Sequence, residues 1–149
     1  MKIEPKLAPT HAIPLPSWPH YDEDEIVSVA DVLRSGKVNY WTGEQARHFE
    51  REYAAFTNTR HAIALANGTV ALELALYAFG IGQDDEVITS SRTFIASASA
   101  AAMRGATPII ADVDPISQNI TLDSIKKKTT SRTKAIIPVH LAGWPCDMD

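Results

Sequence analysis

The residues Ala66-Asn67-Gly68-Thr69 have the composition of a phosphate-binding turn. They follow a short apolar run and precede a helical pattern, so they predict a turn from the carboxyl end of a strand into a helix. Gly68 permits close approach of the backbone to a ligand, and the free amides of a helix N-terminus together with the Thr69 hydroxyl favour a phosphate. A purely structural role, with Asn67 as the helix cap, stays open. The motif is neither G-x-G-x-x-G nor a P-loop, which disfavours ordinary dinucleotide and nucleoside triphosphate sites.

Two further candidates follow other apolar runs. Phe94 comes after Glu86-Val87-Ile88-Thr89, and its ring is suited to stacking on a planar cofactor, with core packing as the alternative. Thr93 is placed to cap the helix that begins there. His140 ends the last apolar run and is a candidate for contact with substrate, with a hydrogen bond to backbone as the alternative. Ligands of parallel sheets bind beyond the carboxyl ends of the strands, so these side chains are expected at one edge.

Alternating strands and helices must position these residues. Prolines in the first 19 residues forbid regular helix, so we predict an extended segment over residues 1–21 and a domain over residues 22–149. Helical spacing starts at the acidic cluster after Asp22 and stops at Ser35-Gly36. The remaining elements are predicted as helices near 42–58, 69–79, 95–104 and 122–128, and as strands at 61–65, 86–89, 107–111 and 134–139. This alternation predicts an α/β fold with a mainly parallel sheet covered by helices on both faces.

Composition limits the classes of function. The chain carries 14 basic and 18 acidic side chains and a net charge of -4, so no broad basic field is available to attract nucleic acid or an anionic membrane. Cys146 is the single cysteine, which rules out an intrachain disulfide and favours a reducing compartment. Because the N-terminus lacks the continuous apolar stretch of a signal peptide or membrane span, we expect a cytoplasmic protein.

Several short motifs occur in a characteristic order. Together they resemble the DegT/DnrJ/EryC1/StrS family of sugar aminotransferases, whose large domain has the three-layer fold type I architecture of enzymes that use pyridoxal 5'-phosphate. The resemblance extends from Ile13 onward. It rests on Ser35-Gly36, Trp41-Thr42-Gly43, Phe49-Glu50, Asn67-Gly68-Thr69-Val70-Ala71-Leu72, Thr93-Phe94, Gly105-Ala106-Thr107-Pro108, Asp112-Val113-Asp114, Pro138-Val139-His140-Leu141-Ala142-Gly143 and Asp147-Met148.

The resemblance implies roles for particular residues. Gly68 and Thr69 match positions that hold the cofactor phosphate, and Phe94 matches the aromatic residue that stacks on the pyridine ring. Tyr40, Trp41 and Thr42 match a loop near the sugar substrate and the dimer interface, with packing as the alternative. The implied reaction moves an amino group from L-glutamate to a nucleotide-linked keto sugar, in cell-surface polysaccharide or amino-sugar biosynthesis, within a homodimer.

Two residues that the family needs have no match in this chain. One is an aspartate that binds the pyridinium nitrogen, and the other is a lysine that forms the Schiff base and moves the proton. In the family both lie beyond the position of Asp149, so we interpret the chain as an inactive N-terminal portion of a large domain that is incomplete at its C-terminus. No catalytic residue and no metal ligand is therefore predicted within it.

Three alternatives stay open. The chain belongs either to a sugar aminotransferase or to a relative that uses the same cofactor for dehydration, in which histidine replaces the lysine. A non-catalytic binding or interaction domain is the second alternative. The third is an unrelated nucleotide-binding α/β domain, which the missing glycine fingerprint disfavours.

Overall fold

The computed structural model describes residues 17–149, so most of the extended segment predicted for residues 1–21 lies outside the described part. The chain divides into two compact units, Met1–Ala62 and Ile63–Asp149. The domain boundary predicted between residues 21 and 22 stays a prediction. Among the described residues, no helix combines the length and apolar character needed to cross a membrane.

The elements follow the predicted alternation after the first two helices. In chain order they are α1 (Glu23–Ser35), α2 (Gln45–Phe56), α3 (Gly68–Ala78), β1 (Glu86–Ser90), α4 (Ala96–Met103), β2 (Thr107–Ala111), α5 (Leu122–Lys126), β3 (Thr133–Ile137) and a 3-10 turn (Leu141–Gly143).

The first unit contains α1 and α2. The amide of Asp22 donates to the Glu25 carboxylate at 2.8 Å, which satisfies a backbone group at the start of α1. Gly36 ends the helix in the left-handed region with φ 69°, and its amide donates to the Leu33 carbonyl at 3.2 Å. The predicted acidic start and glycine stop of this helix are therefore confirmed.

The second unit is built on a three-stranded sheet with the order β2-β1-β3. Strand β1 pairs in parallel with both neighbours, and Ile88 faces Ile109 on one side and Ile136 on the other. Parallel neighbours require crossover connections, which α4 and α5 provide. The prediction of a parallel α/β sheet is confirmed.

Two apolar clusters lie on opposite faces of the sheet. Val87 packs with Leu76 of α3 and with Ala100 and Ala101 of α4. Its neighbour Ile88 points the other way because side chains alternate along a strand, and it packs with residues that include Ile120 and, at the margin of the cluster, Ile125 of α5. The unit therefore has three layers, with helices on both faces of the sheet as predicted.

The strand predicted over His61-Ala62-Ile63-Ala64-Leu65 is wrong. Residues 61–65 are not part of the sheet that the structure describes. A strand needs a neighbour to complete its ladder of hydrogen bonds, and the apolar pattern carries no information about that neighbour. Ile63 is 70% exposed, whereas every residue of strand β1 is buried.

The amino end of β1 carries a buried carboxylate, that of Glu86, whose side chain accepts hydrogen bonds from Thr130, Arg132 and Thr133. Arg132 Nε lies 2.9 Å from Glu86 Oε1, and a guanidinium nitrogen contacts the same oxygen. The hydrogen bond from Thr130 and those from Arg132 lower the pKa of Glu86, and they outweigh the opposing effect of burial. We call Glu86, Thr130 and Arg132 the amino-edge cluster.

Candidate functional site

An open cavity of about 900 Å³ lies in the second unit. Its walls come from the turn before α3, from the segment that follows β1 and from the segment that follows β3. The last two segments leave adjacent parallel strands, so they meet at the carboxyl edge of the sheet, where α/β proteins bind ligands. The lining residues are Asn67, Gly68, Thr69, Ala71, Leu72, Thr93, Phe94, Ala96, Ser97, Val139, His140, Leu141 and Ala142. We call this space the edge cavity.

The start of α3 forms one wall of the edge cavity. Asn67 Oδ1 accepts a hydrogen bond from the Val70 amide at 3.0 Å, so the capping role considered for Asn67 is realised. The amides of Gly68 and Thr69 lie in the first helical turn, where the helix itself offers no acceptor. A Cβ atom added to Gly68 would meet no heavy atom within 4 Å. The protein around it therefore does not require glycine, and the free space is available to a ligand.

Phe94 forms another part of the lining. Its side chain is 72% exposed, so the structure does not place it in either apolar cluster of the core. The exposed ring borders the same cavity as Gly68 and Thr69, as the sequence predicts for an aromatic residue that stacks on a ligand. Its contact with a cofactor stays a prediction.

Thr93 does not cap α4 as predicted. The residue at the cap position is Ile95, which makes no side-chain capping bond. The Thr93 hydroxyl instead lies 2.7 Å from the Ser97 hydroxyl and also donates to the Phe94 carbonyl. The position two residues before the cap brings Thr93 beside the side chain of Ser97 rather than beside a free helix amide. Ser97 was missed in the sequence, although the four-residue spacing of two hydroxyl residues at a helix start was the available signal.

His140 lines the edge cavity from the segment that follows β3. Its Nδ1 atom accepts a hydrogen bond from the Cys146 amide at 2.9 Å, so the backbone contact considered as an alternative is present. Leu141 and Ala142 also line the cavity; they were named in a family motif in the sequence but were given no site role. Ala142 has φ 53°, a left-handed conformation that is uncommon for residues other than glycine. No local sequence motif predicts this conformation.

Tyr40, Trp41 and Thr42 belong to the first unit, in the loop between α1 and α2. Asn39 Oδ1 accepts hydrogen bonds from the Trp41 and Thr42 amides at 3.0 and 3.1 Å, which fixes the turn. Trp41 is 85% exposed, and the Tyr40 hydroxyl donates to Glu50 at 3.1 Å. The exposed indole is compatible with ligand contact, and the role of this loop toward a substrate stays a prediction.

The edge cavity combines helix amides, a threonine hydroxyl and an exposed aromatic ring at the carboxyl end of a parallel sheet. None of the lining residues that the structure describes is lysine or arginine. The groups that this lining offers to a phosphate are therefore the backbone amides and the dipole of α3, and not side-chain charge. The exposed Phe94 ring in the same lining offers a face on which a planar ring could stack. These features define an α/β protein whose described residues suit a phosphorylated aromatic cofactor.

Comparison with known proteins identifies the family. Residues 19–149 match the model of the DegT/DnrJ/EryC1/StrS aminotransferase family, and the chain belongs to this family. It is 44% identical over 139 residues to the spore coat polysaccharide biosynthesis protein SpsC of Bacillus subtilis, covering 93% of this chain and 35% of that protein. It is 42% identical over 134 residues to 3-amino-5-hydroxybenzoate synthase of Amycolatopsis mediterranei, covering 90% of this chain and 34% of that protein.

Solved structures agree with the family assignment. The aminotransferase from Psychrobacter cryohalolentis is 51% identical and superposes with a TM-score of 0.86 over 91% of this chain and 34% of that one. A 39% identical family structure from Streptococcus pneumoniae, solved in PLP and PMP forms, has a TM-score of 0.82 over 92% of this chain and 34% of that one. The chain thus spans about a third of the length of the relatives it matches, and the fold class inferred from the resemblance is confirmed.

Proposed function

We propose that this chain provides part of the cofactor site of a PLP-dependent sugar aminotransferase. The reaction moves an amino group from an amino acid, with L-glutamate as the donor, to a keto sugar carried on a nucleotide. Family membership and the PLP and PMP forms of a related structure support the cofactor. The name of SpsC supports a place in polysaccharide biosynthesis. The observation that carries the proposal is that Gly68, Thr69 and Phe94 line one cavity.

Each of these residues has a distinct task in the proposed site. The amides of Gly68 and Thr69 and the Thr69 hydroxyl bind the phosphate, which fixes one end of the cofactor. Phe94 packs on the face of the ring and excludes water from it. When bound, pyridoxal phosphate supplies an electron sink for bond breaking at the amino-bearing carbon. The residues of this chain contribute binding and orientation, and the family's lysine and pyridinium-binding aspartate have no match in it.

The loop with Tyr40, Trp41 and Thr42 is proposed to contact the sugar nucleotide. The 85% exposure of Trp41 leaves its ring available to a sugar face or a nucleobase, and the hydroxyl of Thr42 is a hydrogen-bonding group. We also propose a homodimer, which the family resemblance implies, and a cytoplasmic location, which agrees with the single cysteine, Cys146, of the chain.

The test uses the full-length protein, purified and freed of cofactor. We expect it to bind pyridoxamine 5'-phosphate in calorimetry and then to form an amino sugar from a nucleotide-linked keto sugar when glutamate and pyridoxal phosphate are supplied, as detected by mass spectrometry. Loss of a hydroxyl without amino transfer would assign the protein to the dehydratase relatives instead. Failure to bind the cofactor would favour a non-catalytic binding domain and would overturn the proposal.

Residues 1–149 alone provide a second test. Because no lysine of this chain matches the one that the family uses, we expect no specific covalent adduct with pyridoxal phosphate and no amino transfer. The measurement is borohydride reduction followed by mapping of modified lysines, with scattered low-level modification expected from exposed amines. One specifically modified lysine together with amino transfer from glutamate would contradict this expectation.

A further inference from the structure

A backbone hydrogen bond selects one tautomer of the His140 imidazole. Its Nδ1 atom accepts the Cys146 N–H at 2.9 Å, and an atom that accepts a hydrogen bond must present a lone pair. The ring proton of this arrangement is therefore on Nε2, which makes Nε2–H a hydrogen-bond donor. Within residues 17–149, no hydrogen-bond partner of Nε2 is found, although His140 borders the edge cavity.

The turn that carries the Cys146 amide is itself fixed. Asn119, which is 6% exposed, donates from Nδ2 to the Pro145 carbonyl at 2.6 Å. The buried Cys146 thiol donates to the Val139 carbonyl at 3.3 Å, which ties the end of the turn back to the residue before His140. Both ends of this segment are therefore anchored, so the orientation of the ring is set before any ligand arrives.

The backbone between these anchors takes an unusual course. Ala142 has φ 53° and Gly143 has φ 80°, so two consecutive residues lie in the left-handed region. This conformation costs free energy at Ala142, and it persists only where the surrounding contacts impose it. The path brings Leu141 and Ala142 to the cavity and returns the chain to Cys146, whose amide donates to the imidazole. This backbone conformation is consistent with a segment whose contacts hold His140 in a fixed position.

We propose that His140 is a ligand-binding residue whose Nε2–H donates to an anionic oxygen of the molecule in the edge cavity. The proposal rests on the proposed function, which assigns the phosphate to Gly68 and Thr69. The nucleotide-linked sugar is assigned to the loop at residues 40–42, so the acceptor proposed for His140 is either the hydroxyl of the cofactor ring or the carboxylate of the amino donor. Each of these groups presents an oxygen that can accept a hydrogen bond from Nε2–H. His140 acts here by binding and orienting and not by proton transfer, because Nδ1 is occupied by the Cys146 amide.

Two substitutions of His140 in the full-length protein separate the anchor from the donor. His140→Asn places an amide oxygen near the position of Nδ1, so it keeps an acceptor for the Cys146 amide and loses the donor. His140→Gln reaches the position of Nε2 with an amide N–H, so it keeps the donor and loses the anchor. We expect His140→Asn to weaken ligand binding about tenfold and His140→Gln to remain within about threefold of the wild type.

Two calorimetric titrations identify the acceptor. One uses pyridoxamine 5'-phosphate with the cofactor-free protein, and the other uses glutarate, a dicarboxylate without an amino group, with the cofactor-loaded protein. If His140→Asn loses affinity only for pyridoxamine 5'-phosphate, the acceptor belongs to the cofactor. If it loses affinity only for glutarate, the acceptor belongs to the amino donor. If folded His140→Asn binds both probes as tightly as the wild type, the proposal is overturned.

A spectroscopic measurement tests the tautomer of His140 without any ligand. Long-range ¹⁵N–¹H correlation of labelled histidine is expected to show the Nε2–H form for His140, and an Nδ1–H form would overturn the proposal. Failure of the wild type to bind pyridoxamine 5'-phosphate removes the proposed function and this inference with it. Normal binding of that probe by the wild type, together with unaltered binding of both probes by His140→Asn, removes the inference alone.

Discussion

The two ends of strand β1 satisfy their polar groups in opposite ways. At the amino end, Glu86 is 2% exposed and its carboxylate accepts hydrogen bonds from Thr130 and Arg132, in the segment that precedes β3. At the carboxyl end, the lining of the edge cavity includes the exposed Phe94 ring and a glycine whose added Cβ would meet nothing. One end is closed by the protein's own side chains, and the other leaves donors and apolar surface for a ligand.

The two ends of β1 therefore have different roles: the amino end stabilises the fold, and the carboxyl end is available for binding. The amino-edge cluster gains nothing from a ligand, because its hydrogen bonds are already made within the chain. The free amides and the exposed ring of the edge cavity contribute little to the stability of the fold until a ligand contacts them. Substitutions at the amino end should therefore change unfolding, whereas substitutions at the carboxyl end should change affinity.

The largest effect is expected at the amino end. Glu86→Ala removes the acceptor shared by Thr130 and Arg132 and leaves a buried gap, so the melting temperature of the full-length protein should fall by about 5 °C or more. Affinity for pyridoxamine 5'-phosphate should stay within about twofold at a temperature where both proteins are folded. The control is Glu52→Ala, which removes an exposed carboxylate of α2. An unchanged melting temperature would show that the cluster does not contribute to stability.

The next effect is expected at the phosphate-binding turn. Gly68→Val fills the space over the amides, so affinity for pyridoxamine 5'-phosphate should fall at least about tenfold, or about 1.4 kcal/mol. The melting temperature without cofactor should change little, because a Cβ at this position meets no protein atom within 4 Å. Ala75→Val is the matched control, since it places a β-branched side chain on the same helix outside the cavity lining. Unchanged affinity in folded Gly68→Val would remove the phosphate assignment.

A smaller effect is expected at Phe94. Phe94→Leu keeps an apolar side chain and removes the ring, so affinity for the cofactor should fall about threefold to tenfold, the range of an aromatic stacking contact. Phe79→Leu is the control, because Phe79 is 82% exposed in the same unit and does not line the edge cavity. Equal losses in both variants would argue against a specific stacking role. A cofactor-bound structure with Phe94 turned away from the ring would refute it directly.

Sequence patterns predicted the features that depend on nearby residues. The Ser35-Gly36 stop, the cap at Asn67 and the parallel strands all follow from local periodicity and turn chemistry. The strand expected at residues 61–65 failed because a strand also depends on a partner, which a local pattern cannot supply. Gly68, Thr69, Phe94 and His140 were expected at one edge because each follows an apolar run, and the structure brings them to one cavity.

The contacts that the sequence analysis did not predict join residues that are far apart in the sequence or that belong to no recognised motif. Arg132 and Glu86 are 46 residues apart, and Asn119 and Pro145 are 26 apart. Neither pair has a spacing that signals contact, since the separation is set by the crossover between strands. The bond from the Cys146 amide to His140 is shorter in sequence, but it depends on the left-handed turn at Ala142. These contacts arise from tertiary structure and cannot be read from periodicity.

The smallest effect concerns acid stability and tests the amino end again. The pKa of Glu86 is lowered by the hydrogen bonds from Thr130 and Arg132, so the folded state binds its proton less readily than the unfolded state. The stability from this shift is fully present above the unfolded pKa, about 4.3, and is lost as the pH falls through the lower folded value. Glu86→Gln removes the titrating group while keeping the side-chain shape.

We therefore expect the difference in melting temperature between wild type and Glu86→Gln to be constant from pH 7 to about pH 5 and to narrow below about pH 4. Asp114 titrates in the same direction, because hydrogen bonds from the Ser117 amide and hydroxyl lower its pKa. It is present in both proteins, so the difference isolates Glu86. Thermal unfolding of both proteins, followed by circular dichroism at several pH values, measures this difference in melting temperature. A difference that stays constant down to pH 3 would show that the carboxylate charge of Glu86 does not stabilise the amino end, and the contrast between the two ends of β1 would then rest on packing alone.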